Sequence, residues 1–437
     1  MAVVGGGLAG MSAALACADA GARVTLFEAS PRLGGATFSL EREGLTVDNG
    51  QHVFLRCCTA YRAFLDRLGV RDLVALSRLD VPVLAPGGRR AHLWRAPLPA
   101  PLHLTPALAR FSHLSPSERL AVLPTARALA ALDPVDHAVD ARPFGDWLTE
   151  RGQSPWAQRA FWDLVTVATL NAPVERASLA LAATVFQTGL LAGGGAADIG
   201  WSRVPLNELH AHPAQRALEA AGGRVLVRRR VRSVRVEPAG GFCLTVADET
   251  MTADAVVLAV PHAAVGPLLP PGAVERPERF ARLGASGIVH VHVVFDRRVM
   301  AEPVVAAVDS PVQWVFDRTA GAGLAHGQYL AVSLSAAEGY LDWPAERLCA
   351  VILEGLTHLL PLMRSATVRT CFLTKQPAAT FRQGPGRAVL RPPQRTSVRG
   401  LGLAGAWTQT GWPATMEGAV RSGRQAADTV LAALLRR

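Results

Sequence analysis

The stretch that most restricts the fold is the first one. Ala2-Val3-Val4 is a short apolar run, Gly5-Gly6-Gly7-Leu8-Ala9-Gly10 follows at once, and Leu8, Met11 and Leu15 then recur at helical spacing until Gly21 ends the helix. Residues 23–27 read as a second strand, with Glu28 at its tip, 21 residues after Gly7. Strand, glycine turn, helix, strand and acid in this register describe a βαβ unit built around a dinucleotide. The first glycine makes the turn, the second clears a path for a pyrophosphate, the third lets helix and strand pack closely, and the acid accepts hydrogen bonds from a ribose. A glycine turn without a ligand would not need the acid. With only Met1 ahead of the first strand, a few further residues are expected upstream.

A chain of 437 residues exceeds the size at which single cores stop growing, so two domains are expected. Half the residues are hydrophobic, 18% are charged and the mean hydropathy is +0.21, which points to apolar surface that is lined or exposed. No run of 18 apolar residues occurs and the opening stretch lacks a basic n-region, so neither a membrane anchor nor a signal peptide is expected, and a cytoplasmic location is. The net charge is +10, yet Lys375 is the only lysine among 45 basic residues. The arginines are spread along the chain without a basic run, which argues against nucleic acid and leaves an anionic membrane face or a phosphorylated ligand. Six cysteines without CxxC spacing or a tight framework are expected to be reduced, mostly buried thiols.

Glu28-Ala29-Ser30-Pro31-Arg32-Leu33-Gly34-Gly35 resembles the E-x-x-x-R-x-G-G continuation of FAD-dependent amine oxidases, phytoene desaturases and protoporphyrinogen oxidases. Arg32 would neutralise phosphate charge, and Gly34 and Gly35 would let backbone pass close to the isoalloxazine end of the cofactor. Where many members carry an arginine after the two glycines, this chain has Ala36. Near the other end, residues 401–406 read as a strand, and Gly411-Trp412-Pro413-Ala414-Thr415-Met416-Glu417-Gly418 runs into a helix whose N-terminus would face the flavin. The family aspartate after Gly405 is Ala406 here. Mid-chain, residues 222–234 and 254–261 resemble the strands that flank the adenine, with Val231 at its edge. The resemblance therefore implies cofactor contacts from Gly5, Gly7, Leu8, Ala9 and Gly10, from Glu28, Ala29, Arg32, Gly34 and Gly35, and from Gly50, Gln51 and His52. It adds Val231, Gly405, Ala406, Ala414, Thr415, Met416 and Glu417.

The implied fold is α/β, a Rossmann-type FAD-binding domain assembled from three segments (1–80, 205–285 and 390–437) plus a mixed α+β substrate domain from 81–204 and 286–389. Residues 288–295 alternate like a strand, placing His290 and His292 on one face, expected as ordinary sheet surface and not as a metal site. The apolar run 179–191 reads as core helix or as a pocket wall.

Three stretches narrow the likeness: Val47-Asp48-Asn49-Gly50-Gln51-His52-Val53-Phe54 with Cys57, Cys58 and Tyr61 after it, Leu390-Arg391-Pro392-Pro393, and residues 411–419. Together they are similar to the squalene-associated FAD-dependent desaturases of hopanoid synthesis, the hydroxysqualene dehydroxylases. This implies reduction of the allylic alcohol hydroxysqualene to squalene, with FAD as cofactor and an external reductant, NADPH, to reduce it. Such chemistry needs a long, water-poor apolar pocket and one proton donor. The candidates are Gln51, His52 and Lys375, since amine-oxidase relatives place a lysine near the flavin. His52 could equally shape its loop, and Lys375 could serve a surface ion pair. An insoluble isoprenoid substrate implies peripheral contact with the inner face of the membrane, for which residues 94–104 offer tryptophan, arginine and leucine, and neighbouring squalene-synthesis enzymes as partners. The rival readings are a carotenoid-type desaturase, an amine oxidase, disfavoured by a total of three tyrosines, and a catalytically silent flavoprotein scaffold, favoured by Ala406.

Overall fold

The computed structural model describes residues 1–435; positions 436 and 437, the end of the third expected segment, lie outside them. Five short strands, β1 (Ala2–Val4), β2 (Thr25–Phe27), β3 (Arg224–Leu226), β4 (Val256–Leu258) and β5 (Leu401–Leu403), form one sheet in the order β3-β2-β1-β4-β5, every pair parallel. Every residue of β1, β4 and β5 is buried, as expected of a parallel sheet covered on both faces. Strand β5 stops short of the expected 401–406 because Gly405 adopts φ +142° and donates its N–H to Ser422 Oγ at 2.7 Å, which turns the chain out of the sheet.

Helix α1 (Leu8–Asp19) follows β1, and α2 (Thr59–Arg67), α3 (Pro116–Ala130), α4 (Ala345–Leu359) and α5 (Met416–Leu434) are the other helices that position the site. Helices α1 and α5 lie in direct contact. Ser12 Oγ donates to the Val420 carbonyl at 3.0 Å, and a Cβ on Gly423 would stand 2.2 Å from the Ala9 carbonyl oxygen.

A second, mostly antiparallel sheet has seven strands, in the order 368–380, 286–295, 328–334, 314–317, 304–307, 80–85, 89–94. In the long strand Ser286–Phe295, Val289, Val291 and Val293 face an apolar cluster with Leu348, Ile352 and Leu356 of α4. His290 and His292 point the other way, and at 3% and 0% exposure they are core residues, correcting the expectation of sheet surface. The chain around Asn49 lies over that face: the Asn49 carbonyl accepts from Thr374 Oγ1, which also bonds His292. A disulfide joins Cys349 of α4 to Cys371, against the expectation of thiols throughout; Cys17, Cys57, Cys58 and Cys243 are free. No motif announced this pair, because it joins a helix to the strand beneath it.

Residues 102–191 form a helical layer around an aromatic-rich cluster of Phe111, Phe144, Trp147, Trp162 and Phe186. The run 179–191 is core of this layer, with Leu179, Ala182, Ala183, Phe186 and Leu190 buried in it. Among the described residues no helix is long and apolar enough to cross a membrane.

Candidate flavin and active site

All five parallel strands end on the same edge, and the glycine motif, Glu28 and Gly405 lie at that edge, where ligands bind in open α/β sheets. Two of the three motif glycines are fixed by the protein itself. A Cβ on Gly5, at φ +108°, would come 2.5 Å from the Ala259 carbonyl oxygen, and one on Gly10 would come 1.8 Å from that of Gly5. Gly7 differs: its φ is an ordinary −75° and the nearest atom to a Cβ would be Gly35 Cα at 3.7 Å. Nothing in the protein demands a glycine there, so the space it keeps open belongs to a ligand. Gly7 also leads into α1 without a side-chain cap, leaving first-turn N–H groups of Leu8, Ala9 and Gly10 at the opening.

Gly34 and Gly35 serve this loop more directly than expected. The Gly34 N–H donates to the Gly6 carbonyl at 2.9 Å, and a Cβ on Gly35 would stand 2.8 Å from Gly7 Cα. Glu28 is held at the tip of β2 by the N–H groups of Gly6 (2.6 Å) and Ser30 (2.7 Å). Ala29 beside it is exposed. The Arg32 guanidinium lies 3.5 Å from the centre of the Phe38 ring, and burial lowers its pKa against the opposing pull of Glu28. Val231 is buried where its strand starts, and the Arg229 N–H bonds the Glu28 carbonyl, bringing that strand to the tip of β2.

On the opposite side, the 405–415 loop is clamped by a residue to which sequence reasoning gave no role. Buried Arg391 donates to the carbonyls of Ala406 (3.1 Å), Thr408 (2.6 Å) and Trp412 (2.9 Å) and to Thr410 Oγ1 (3.0 Å). Burial draws its pKa down to about 10. Thr415 caps α5 by accepting from the Gly418 N–H, and Met416 begins the helix half-buried, its amide at the open N-terminus. The Ala414 N–H is bonded to Gln383 Oε1 at 2.7 Å. One expected cofactor contact is corrected here: Glu417 turns away from the edge, its carboxylate bonded to the N–H groups of Ala60 (3.1 Å) and Tyr61 (2.7 Å) and to Arg421 Nε (2.6 Å).

The segment 48–52 ties this edge to the seven-stranded sheet. Asn49 donates to the Ala36 carbonyl at 2.9 Å and accepts from the Phe38 N–H at 3.0 Å, while Asp48 pairs with Arg318 at 2.9 Å, both buried. Gly50 is pressed against His290, whose Cε1 would lie 2.6 Å from a Cβ, and the Gln51 N–H donates to His290 Nε2 at 3.0 Å. Beside them, a small cleft is lined by Asp48, Gln51, His52, Trp201, Phe316 and Arg318 among others. Four buried polar atoms around this segment, Gln51 Nε2, His52 Nε2, His210 Nδ1 and His290 Nδ1, have no protein partner among the described residues. Orphans of this kind are costly unless something polar completes them. Gly7, the uncapped α1 terminus, Glu28 and these orphans together fit a long, partly polar dinucleotide of the FAD kind.

The three catalytic candidates separate. Gln51 and His52 stand together at the cleft. Burial drives the His52 pKa down to about 4, with Asp48 opposing and Arg318 adding to the shift, so the ring is neutral at pH 7 and holds no spare proton. Lys375 is removed from the site by strand alternation: its neighbour Thr374 faces Asn49, so Lys375 faces the α4 side, where its Nζ donates to the carbonyls of Leu341 (2.6 Å) and Trp343 (2.7 Å). Its expected catalytic role is corrected to a structural one. No group of three or more metal-ligating side chains occurs among the described residues. Asn49, Arg391, His210 and His290 are the site residues that sequence reasoning missed; only their place in the quoted stretches could have flagged Asn49 and Arg391.

Known proteins agree with this arrangement. The family model described as flavin containing amine oxidoreductase matches residues 8–431. A hydroxysqualene dehydroxylase of Rhodopseudomonas palustris is 31% identical over 444 residues, covering 99% of this chain and 98% of that protein, and one of Sinorhizobium fredii is 29% identical over 454 residues, covering 98% and 97%. A zeta-carotene desaturase of Synechocystis is 26% identical over 480 residues, covering 99% and 97%. Among solved structures, a putrescine oxidase variant superposes with a TM-score of 0.76 at 19% identity, covering 99% and 98%, and the cyclohexylamine oxidase of Brevibacterium oxydans with 0.71 at 18%, covering 100% and 99%, which shows a shared fold. The chain belongs to the flavin-containing amine oxidoreductase family and is an FAD-dependent oxidoreductase with the α/β fold of that family.

Proposed function

We propose that this oxidoreductase reduces hydroxysqualene to squalene. The observation that carries the reading is likeness to hydroxysqualene dehydroxylases over essentially the whole of both chains. The formal charges that line the cleft beside Gln51 and His52 are the paired Asp48 and Arg318 together with Asp317, and the histidines around segment 48–52 are neutral.

The reaction breaks the allylic carbon–oxygen bond, releases the oxygen with a proton as water, and puts a hydride equivalent on carbon. When bound, FAD in its reduced form supplies that hydride, and an external two-electron donor of the NADPH class restores it. Gly7 and the α1 terminus would hold the pyrophosphate, Glu28 the ribose, Arg32 a phosphate charge, and the Met416 terminus of α5 the flavin side. Gln51 and His52 orient the leaving hydroxyl by hydrogen bonds; neutral His52 donates a bond without carrying a stored proton, so the proton lost with the hydroxyl comes from solvent. Isoprenoid substrate is drawn from the bilayer at its cytoplasmic face, where other squalene-synthesis enzymes would hand it on.

A second reading, oxidation of a carotenoid-type polyene, is favoured by the zeta-carotene desaturase relatives, which also span the chain. One anaerobic experiment separates them. FAD-loaded protein reduced with dithionite and given hydroxysqualene in detergent should form squalene in step with flavin reoxidation. Flavin that stays reduced without squalene, together with flavin reduction when oxidised protein meets a carotenoid precursor, would replace the first reading by the second.

A further inference from the structure

Helix α3 is apolar on both sides. Its inner face packs Val122, Thr125 and Leu129, at 3%, 1% and 0% exposure, into the helical layer. Its Ser115 end is closed by a capping box with Glu118, so the helix is well defined up to its solvent side. That side should be polar in water. Instead Leu120 is 69% exposed and Leu123 44%, followed by exposed Pro124 and a single charge, Arg127, the spacing of one helical stripe.

The same surface continues into neighbouring chain. Leu98 and Leu102, 43% and 54% exposed, sit on the proline-rich loop before the short helix Thr105–Ala109, which packs against α3, and Val135 beyond α3 is 75% exposed. Five of the ten large hydrophobic side chains exposed among the described residues thus fall between positions 98 and 135. Arg110 and Arg127 are exposed and make no ion pair among the described residues, while Glu118 accepts from Ser115 and Ser154, and Asp133 and Asp136 from the N–H groups of Val135 and Ala138, bonds that fix these carboxylates in place.

We propose that the outer stripe of α3, with Leu98 and Leu102 of the adjoining loop, is the surface that seats this protein on an anionic lipid bilayer. The leucines enter the boundary between headgroups and acyl chains, and Arg110 and Arg127 lie at the level of the lipid phosphates. A bilayer suits the surface better than a second copy of the chain. The exposed leucines lie on a helix and a loop beside two unpaired arginines, on a chain of net charge +10, which repels itself and is attracted to anionic lipid. The inference deepens the proposed function and rests on it only for its purpose, the capture of an insoluble substrate.

The test is sedimentation of the FAD-loaded, full-length protein with sucrose-loaded vesicles of phosphatidylcholine alone or with one quarter phosphatidylglycerol. The protein should pellet with the anionic vesicles and far less with the neutral ones, and Leu120→Glu/Leu123→Glu should lower the bound fraction at least tenfold. The control Leu362→Glu/Val389→Glu, at exposed sites elsewhere, should pellet like the wild type. Melting temperature and bound flavin establish that each variant is folded, and Leu120→Ala/Leu123→Ala, with an intermediate loss, covers the case in which the glutamates disturb α3. Wild-type protein that stays in the supernatant with both vesicle types, or a double glutamate variant that pellets unchanged, overturns the inference. So does a variant whose only change is from dimer to monomer by light scattering. Squalene formation in detergent micelles is read in parallel: if it persists in the variant, the surface is separate from the reaction, and if the wild type lacks it while binding vesicles, the substrate reading falls and the surface stands.

Discussion

Glu417 and Tyr61 are 356 positions apart, yet a carboxylate oxygen of the first accepts the backbone N–H of the second at 2.7 Å. Cys58, at the start of α2, offers no side-chain cap, so the buried Glu417 of α5 supplies one from outside the helix. Removing it leaves two N–H groups and Arg421 without their acceptor. Glu417→Ala should lower stability by about 3 kcal/mol, and Glu417→Gln, which keeps one acceptor oxygen, by less than half of that. Urea denaturation checks the order; equal losses would show that the cap contributes little.

Gly7 and Gly10 should separate cofactor binding from folding. Gly7→Ala meets only Gly35 Cα, at an ordinary contact distance of 3.7 Å, so the apoprotein should melt as the wild type does, while the flavin content per chain falls severalfold. Gly10→Ala drives a methyl into the Gly5 carbonyl and should destabilise the protein by about 3 kcal/mol whether or not flavin is present. Absorbance at the flavin band together with apoprotein melting curves distinguishes the two.

Three buried histidines, together with half-buried His52, whose Nε2 is enclosed, make the fold sensitive to acid. Burial lowers His52 to about 4 and His210 and His292 to about 3, and it holds His290 well below its ordinary value. In the unfolded chain each takes up a proton near pH 6.5. Below that pH the unfolded state therefore binds more protons, and stability, fully present above pH 6.5, is lost as pH falls towards 4. Each histidine contributes about 1.4 kcal/mol per pH unit to the slope. His52→Gln should reduce the slope of unfolding free energy between pH 6 and 4.5 by that amount; an unchanged slope would mean that His52 is not held neutral.

Lys375→Met should behave as a structural change. The ammonium holds the carbonyls of Leu341 and Trp343, so about 1–3 kcal/mol of stability should be lost. The flavin spectrum and the pH profile of turnover should not move. A displaced profile at full flavin loading would return Lys375 to the chemistry.

What the sequence made legible follows the distance over which each interaction acts. Gly5, Gly10 and Glu28 were readable because turn, helix and acid follow one another within 30 residues, and their geometry obeys local rules. Glu417 was read as a cofactor contact because the helix it caps is remote in sequence. His290 and His292 were read correctly as sharing one strand face, but whether that face meets water depends on Asn49 and its neighbours, more than 200 positions earlier. Lys375 illustrates a register effect: a shift of one residue along the strand would have put it where Thr374 stands, facing Asn49.

The contact between α1 and α5 has a consequence for how the chain is made. The first helix emerges from the ribosome at once, but the surface that Ser12 and Ala9 offer is completed only by Val420 and Gly423. At about 5–20 residues per second, the intervening chain takes roughly 20–80 s to synthesise. Throughout that interval the nucleotide-binding edge has its glycine loop but neither its last strand nor its last helix. Nascent protein should therefore acquire flavin only after release, and a chain that stops before residue 416 should be handed to chaperones or proteases with the apolar flank of α1 uncovered.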